Sequence, residues 1–234
     1  MISLYIMQAV ILAAGRGKRM GALTDTIPKP MLRVSGKNLL EHKLDILPPE
    51  IKEVIFVVGY LGDVIKKYFG TSYHGKKITY VEQTDLHGTG HSLGQAKPFL
   101  HGRFLVMMGD DIYTKEDILR CLKSEWSILI HKLPELRSGG KVIFDENGNL
   151  KDIVEGDNHG GEGYIYTGLC VCGPEIFDYE LVKLPGREEY GLPQTLLKAM
   201  KDFKINVEKA TQWIQISAPE DLEKAESFFV DYTI

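Results

Sequence analysis

The chain has 234 residues, with 28 Lys or Arg against 32 Asp or Glu and a formal net charge of −4, a size that suits one large domain or two small ones. A mildly acidic balance argues against a dedicated nucleic-acid binder, so a phosphate site has to be a local cluster of Lys, Arg and backbone N–H groups. No apolar run approaches the ~20 residues that span a bilayer, and three scattered cysteines (Cys121, Cys170, Cys172) give no disulfide framework and fit a reducing cytoplasm.

In chain order, Met1-Ile-Ser-Leu-Tyr-Ile6 lacks a basic leader and reads as a short extension rather than a signal peptide, with Met7 as an alternative start. Residues 9–13 are continuously apolar, the mark of a strand buried on both faces. A glycine loop follows, then helical spacing over 39–47 with Asn38 placed to cap it. Strands are predicted over 53–59, 77–82, 104–108 and 126–131, and helices over 62–69, 93–99 and 117–124. This alternation predicts an α/β fold: a mostly parallel sheet with right-handed crossovers and helices on both faces. Such sheets bind ligands beyond the carboxyl ends of their strands. Both the glycine loop and the pair Asp110-Asp111 fall at that edge.

After residue 140 the pattern changes. A hairpin is predicted from 141–144 and 150–154 around Asp145-Glu-Asn-Gly148, then a strand over 164–171 on which Cys170 and Cys172 share a face as small apolar residues. Helices are expected over 174–182, 193–203 and 219–229. These late elements either extend the sheet or form a lobe over the substrate. No long linker is present, so a single domain over 1–234 is expected, with a first half at about 7–135 and a second half at 136–234.

Gly15-Arg16-Gly17 lets backbone N–H groups approach phosphates without a Cβ in the way, or serves simply as a tight turn. Met20 replaces the third glycine of a dinucleotide fingerprint, and no Gly-Lys-Ser/Thr follows for a Walker loop. Arg19 and Lys29 add positive charge, and Pro28 and Pro30 restrain the backbone around Lys29. Gln83 follows the third strand, with an amide that can both donate and accept. Gly88-Thr89-Gly90-His91 lies just beyond. Asp110 and Asp111 are adjacent on extended chain, so only one of them faces a bound cation.

Taken together, Leu12-Ala-Ala-Gly-Arg-Gly-Lys-Arg-Met20, Pro28-Lys-Pro-Met-Leu32 and Leu40-Glu-His42 closely resemble the sugar-1-phosphate nucleotidyltransferase family, over most of the chain. The resemblance implies a Rossmann-like fold of the nucleotide-diphospho-sugar transferase type with a small β-hairpin, sugar-binding lobe. It implies Mg²⁺-dependent transfer of a nucleotidyl group from a nucleoside triphosphate to a sugar 1-phosphate, with release of pyrophosphate and no nucleic-acid or membrane partner. Leu12, Ala13, Ala14, Gly15 and Gly17 would wrap the nucleotide, and Arg19 and Lys29 would neutralise its phosphates. The run from Gln83 to His91 is similar to the uracil-reading segment of UDP-sugar pyrophosphorylases, which assigns Gln83, Gly88 and Thr89 to the base. UTP is therefore favoured and dTTP comes next. His91 reads as a helix N-terminal residue or a supporting group.

The resemblance assigns Asp110 to the metal and leaves Asp111 to touch the sugar or to cap the helix near Thr114. The family's second metal ligand, an Asp, is replaced by Gln215 in Trp213-Ile-Gln215, a ligand without charge. The family's Glu-Lys-Pro becomes Glu155-Gly156-Asp157, and its Asn-x-Gly becomes Tyr166-Thr167-Gly168. Gly140, Glu155 and Thr167 are the implied sugar contacts, and Lys141 or Arg187 would have to replace the missing lysine at the sugar phosphate. The acceptor is glucose 1-phosphate or N-acetylglucosamine 1-phosphate. Two alternatives stay open: an inactive nucleotide-sugar-binding relative, and a cytidylyltransferase for a phosphorylated amino-alcohol. The chain reaches Ile234 without hexapeptide repeats, so no β-helix domain is expected, and the sequence carries no sign of oligomeric state.

Overall fold

The first apolar run forms β1 (Met7–Ala13), and its alternate residues enter two different cores. Ala9, Ile11 and Ala13 pack on one face, Val10 and Leu12 on the other, which is why the run shows no polar alternation. The computed structural model describes residues 7–230, so the reading of 1–6 as a short extension lies outside the described residues. Besides two separate two-residue ribbons, the other strands are β2 (Ile51–Val58), β3 (Ser72–Tyr73), β4 (Lys76–Glu82), β5 (Phe104–Met108), β6 (Asp111–Tyr113), β7 (Ser127–Leu133), β8 (Ser138–Phe144), β9 (Leu150–Asp157), β10 (Gly163–Cys172), β11 (Asn206–Lys209) and β12 (Trp213–Gln215). The helices are α1 (Leu39–Ile46), α2 (Gly62–Phe69), α3 (Gly88–Ala96), α4 (Lys115–Cys121), α5 (Leu192–Ala199) and α6 (Glu220–Val230).

The main sheet runs β9-β8-β10-β5-β1-β2-β4-β3, with β7 bonded to both β10 and β11. β5, β1, β2 and β4 are mutually parallel and form the Rossmann-like centre of a mixed α/β molecule. β10 joins antiparallel to β5, so the late strands extend this sheet. Burial of side chains such as Ile11 and Phe56 is worth about 1.5–3 kcal/mol each, and both are fully buried. A third core beside the glycine loop joins Met20, Leu32 and Leu39 to Ile112 and to Ile216 and Ala225 near the end of the chain. The three cysteines are buried and unpaired. No helix among the described residues is long and apolar enough to cross a membrane.

Several boundaries differ from the sequence expectations. α3 begins at Gly88, because three glycines in its first seven residues hide its helical pattern. α4 begins at Lys115, because Thr114 Oγ1 accepts from Asp117 N at 3.2 Å; Thr114 is the cap, and Asp111 is not. The helix expected over 174–182 is a single 3₁₀ turn, Pro174–Asp178, after which Val182–Lys183 pairs with Tyr190–Gly191 in a small ribbon. α5 ends at Ala199, whose carbonyl accepts from both Asp202 N and Phe203 N. α1 carries the full capping box, with Asn38 and Glu41 exchanging side-chain bonds to backbone N–H groups at 2.9 and 2.8 Å.

Candidate nucleotide and acceptor site

The parallel strands end at one edge, and four contiguous cavities lie along it. The first, of about 280 Å³, is lined by Leu12, Ala13, Gly15, Gly17, Arg19, Lys29 and Asp110. Gly17 has φ +67°, and a Cβ there would sit 2.9 Å from Lys29 Cβ, so the loop closes over this lysine only with glycine. Lys29 starts a short turn between its two prolines and is 7% exposed. Its Nζ meets Asp110 Oδ2 at 2.5 Å. Gly109 N donates to Leu12 O at 2.8 Å, which ties the end of β5 to the end of β1 and brings Asp110 over the glycine loop.

The second cavity, about 240 Å³, adds Ala14, Gln83, Gly88, Thr89 and Ser92 to Leu12 and Gly15. Gln83 is buried, and its Nε2 lies 3.2 Å from His91 Nδ1. Gly88 has φ +86°, and a Cβ there would be 2.6 Å from Tyr190 O, so α3 can start against this backbone only with glycine. Thr89 Oγ1 accepts from Leu192 N at 3.0 Å and thereby fixes the start of α5. The hydroxyl of Ser92, a residue the sequence did not single out, is buried without a hydrogen-bond partner.

The third and fourth cavities, about 210 and 940 Å³, share Gly139, Glu155, Arg187 and Gln215. Gly140 pairs in register with Glu155 across the β8–β9 hairpin, and both line the smaller cavity. Burial pushes the Glu155 carboxyl up, opposed by the Arg187 guanidinium and reinforced by Glu189. Thr167 lines the same cavity, but its hydroxyl already donates to Leu129 O at 2.9 Å, which leaves its oxygen to accept. Of the two bases considered for the acceptor phosphate, Arg187 lines both cavities; Lys141 lies one residue after the inward-facing Gly140, on the opposite face of β8. Arg19 and Arg137 add two more guanidinium groups to the larger cavity.

Asp110 and Asp111 diverge as their spacing requires. Asp111 is 2% exposed, takes a bond from Trp213 Nε1 at 3.1 Å, and lines the third cavity. Burial and the neighbouring Asp110 push its carboxyl well above the usual range, against the opposing pull of the Lys43 and Lys29 charges. Gln215 pairs in register with Asp111 on β12 and lines the third and fourth cavities, whereas Asp110 lines the first. A carboxylate such as Asp110 and an amide oxygen such as Gln215 are oxygen donors of the kind a hard divalent cation takes. Among the described residues no group of three or more His, Cys, Asp or Glu forms a protein-only metal cage. The arrangement fits an ion that completes its shell with phosphate oxygens and water.

Met108, at the end of β5, lines the first three cavities, and Arg19 links the first to the fourth. The sequence reading passed over Met108 because it looks like one more apolar strand residue. One groove thus runs from a base-sized recess, past a lysine–aspartate pair, to a pocket walled by carboxylate and guanidinium groups. The family model for nucleotidyl transferases matches residues 8–231. The chain belongs to the nucleotidyl transferase family.

Among its relatives, the bifunctional protein GlmU of Methanocaldococcus jannaschii is 28% identical over 227 residues, 96% of this chain and 55% of that protein. The UTP–glucose-1-phosphate uridylyltransferase AglF of Haloferax volcanii is 28% identical over 231 residues, 94% of this chain and 95% of that protein. The chain therefore spans about half the length of the first relative and nearly all of the second. A crystal structure from Bacillus anthracis, described as a glucose-1-phosphate thymidylyltransferase, superposes with a TM-score of 0.81 at 21% identity and covers 97% of each chain. It shares the fold of this nucleotidyl transferase.

Proposed function

We propose that this chain transfers the uridylyl group of UTP to a sugar 1-phosphate, glucose 1-phosphate or N-acetylglucosamine 1-phosphate, with dTTP the next candidate donor. A phosphate oxygen of the acceptor forms a bond to the α-phosphorus, the bond from the α-phosphorus to the bridging oxygen breaks, and pyrophosphate leaves with the electron pair. The acceptor phosphate is already ionised at neutral pH, so no general base is needed. The observation that carries the reading is the Lys29–Asp110 pair, placed where the base recess and the acceptor pocket meet. Such transfer depends on positioning and charge stabilisation. Lys29 and Arg19 supply positive charge, and Leu12 to Gly17 with Gln83, Gly88 and Thr89 hold the nucleotide. Asp111, Gly140, Glu155 and Thr167 wall the acceptor pocket.

Asp110 and Gln215 are the residues that would hold Mg²⁺, which when bound neutralises phosphate charge beside the reacting centre. Both halves would work as one domain over 1–234, because the β10–β5 ladder ties the acceptor half into the nucleotide half. The uridylyltransferase that matches this chain along nearly its whole length supports the donor and the acceptor class. Release of pyrophosphate from purified protein with Mg²⁺, screened over five nucleoside triphosphates and a panel of sugar phosphates, tests the reading; no release with any pair would overturn it. The neutral Gln215 and the glycine at position 156 favour the second reading, a nucleotide-sugar-binding relative without turnover, and that outcome would select it.

Arg187 gives a sharper test of the acceptor half. Arg187→Ala is expected to raise the KM for the sugar phosphate about tenfold or more, as for loss of a charge-assisted hydrogen bond, and to leave the KM for UTP unchanged. Initial rates with each substrate varied in turn check this, and an unchanged acceptor KM would remove Arg187 from the phosphate.

A further inference from the structure

His91 lies in the first turns of α3 with an amide on each side of its ring. Gln83 Nε2 is 3.2 Å from Nδ1, and Gln95 Nε2 is 3.2 Å from Nε2. A neutral imidazole has one N–H and one lone pair, so both amides cannot present their NH₂ groups to it. Hydrogen placement and amide orientation follow from making the whole network consistent. Gln83 is buried in the wall of the base recess, whereas Gln95 is half-buried on the helix surface and gives up only a 3.5 Å contact to His91 O if it turns over. Of the two consistent arrangements, the one that keeps the Gln83 amide as the structure places it has Gln83 donating to Nδ1 and the Nε2–H donating to Gln95 Oε1.

We propose that His91 is a positioning residue for base choice, locking the Gln83 amide in the orientation that reads a pyrimidine with an oxygen at carbon 4. The inference rests on the site being a nucleotide site. At that edge uracil and thymine offer an acceptor at carbon 4 and a donor at N3. Cytosine offers the reverse. A carboxamide has one donor end and one acceptor end, so a free Gln83 could serve either base by flipping. With one N–H held by His91, its remaining N–H is left for the 4-oxo group and its Oε1 for N3–H, and the cytosine pattern meets like against like. Ser92 provides a second, independent sign that the recess awaits a polar ligand. Its hydroxyl lines the same cavity, is buried, and has no partner even though a helical serine could bond the carbonyl of the preceding turn. That hydroxyl can donate or accept, so it adds binding without choosing the base.

The test uses the full chain and compares UTP with CTP. His91→Phe keeps the ring and removes both nitrogens. The ratio of kcat/KM for UTP over CTP is expected to fall about tenfold, and the ratio of the two affinities measured by titration calorimetry should fall with it. A purely structural role for His91 would weaken both nucleotides together and leave both ratios unchanged, which would overturn the proposal. If the wild-type chain transfers to no acceptor, the functional reading fails, and the UTP:CTP affinity ratio still decides this inference. Should the variant not fold, ¹⁵N shifts of wild-type His91 decide it: an Nε2–H tautomer is expected, and an Nδ1–H tautomer would overturn the lock.

Discussion

Lys29→Ala is expected to lower turnover about a hundredfold to a thousandfold, the scale seen when one preorganised charge or donor is removed from a transition state. Lys29 is the buried cation of the site, set between two prolines and against Gly17, whereas Arg19 is exposed and free to be solvated. Its 2.5 Å bond to Asp110 fixes the position from which, in the proposed reaction, it would reach a phosphate. Asp110→Ala should cost a comparable factor for a different reason: it removes the carboxylate assigned to the cation and leaves Lys29 without its ion-pair partner. Because the two residues act as a unit, the double variant should be little worse than either single one. Pyrophosphate release at saturating substrates, with circular dichroism to confirm the fold, measures all three. Wild-type release in Lys29→Ala would refute its role at the phosphates. Normal release in Asp110→Ala, at the same Mg²⁺ dependence, would refute the metal assignment.

The nucleotide half was readable in the sequence because its signals are local. The glycine loop, the prolines around Lys29, the Asn38 cap and the Asp pair each fall within a few residues of a recognisable strand or helix end. The acceptor half was less readable because its contacts are distant in the chain. Trp213 meets Asp111 across 102 positions, and Leu192 meets Thr89 across 103. Arg187 reaches its cavities from between Val182–Lys183 and Tyr190–Gly191, a two-stranded ribbon that falls largely between the helices expected over 174–182 and 193–203, where no element was predicted. β11 pairs in parallel with β7, and no alternation in Asn206–Lys209 announces that partner. Lys43 is a different case. Leu39, Leu40, Lys43 and Leu44 form the buried stripe of α1, so the 3–4 spacing already placed this charge inside the molecule. The expectation that a lysine faces water hid it.

Lys43→Met is therefore expected to destabilise the protein by about 3–5 kcal/mol, the cost of leaving a buried charge without its partner. The Lys43 ammonium is 1% exposed and donates to Asp111 O and, at 3.3 Å, to Leu39 O. Its removal takes the Nζ donor from Asp111 O and the positive charge from beside the buried Asp111 carboxyl, which is bonded by Trp213 Nε1. Lys43→Met/Asp111→Asn should recover much of the loss, since no net buried charge remains. Urea denaturation at neutral pH measures both variants. A loss below about 1 kcal/mol in the single variant would match an ordinary hydrogen bond and reject the buried-charge account. The pH dependence gives a second check. Burial lowers the Lys43 pKa from 10.5 to about 8, against the opposing pull of Asp111 and Asp110. Between those values the unfolded chain holds a proton that the folded chain has released, so the Lys43 contribution to stability increases as pH rises from about 8 towards 10.5. Titrations of groups that do not interact with Lys43 cancel in the difference between wild type and Lys43→Met, so that difference should widen across this window. A constant difference would place the folded pKa of Lys43 at its unfolded value. Because Asp111 carries both the Lys43 contact and the Trp213 bond that sets β12 beside Asp110, the same single variant should also weaken the Mg²⁺ dependence of turnover. This ties the stability of the corner to the placement of Gln215.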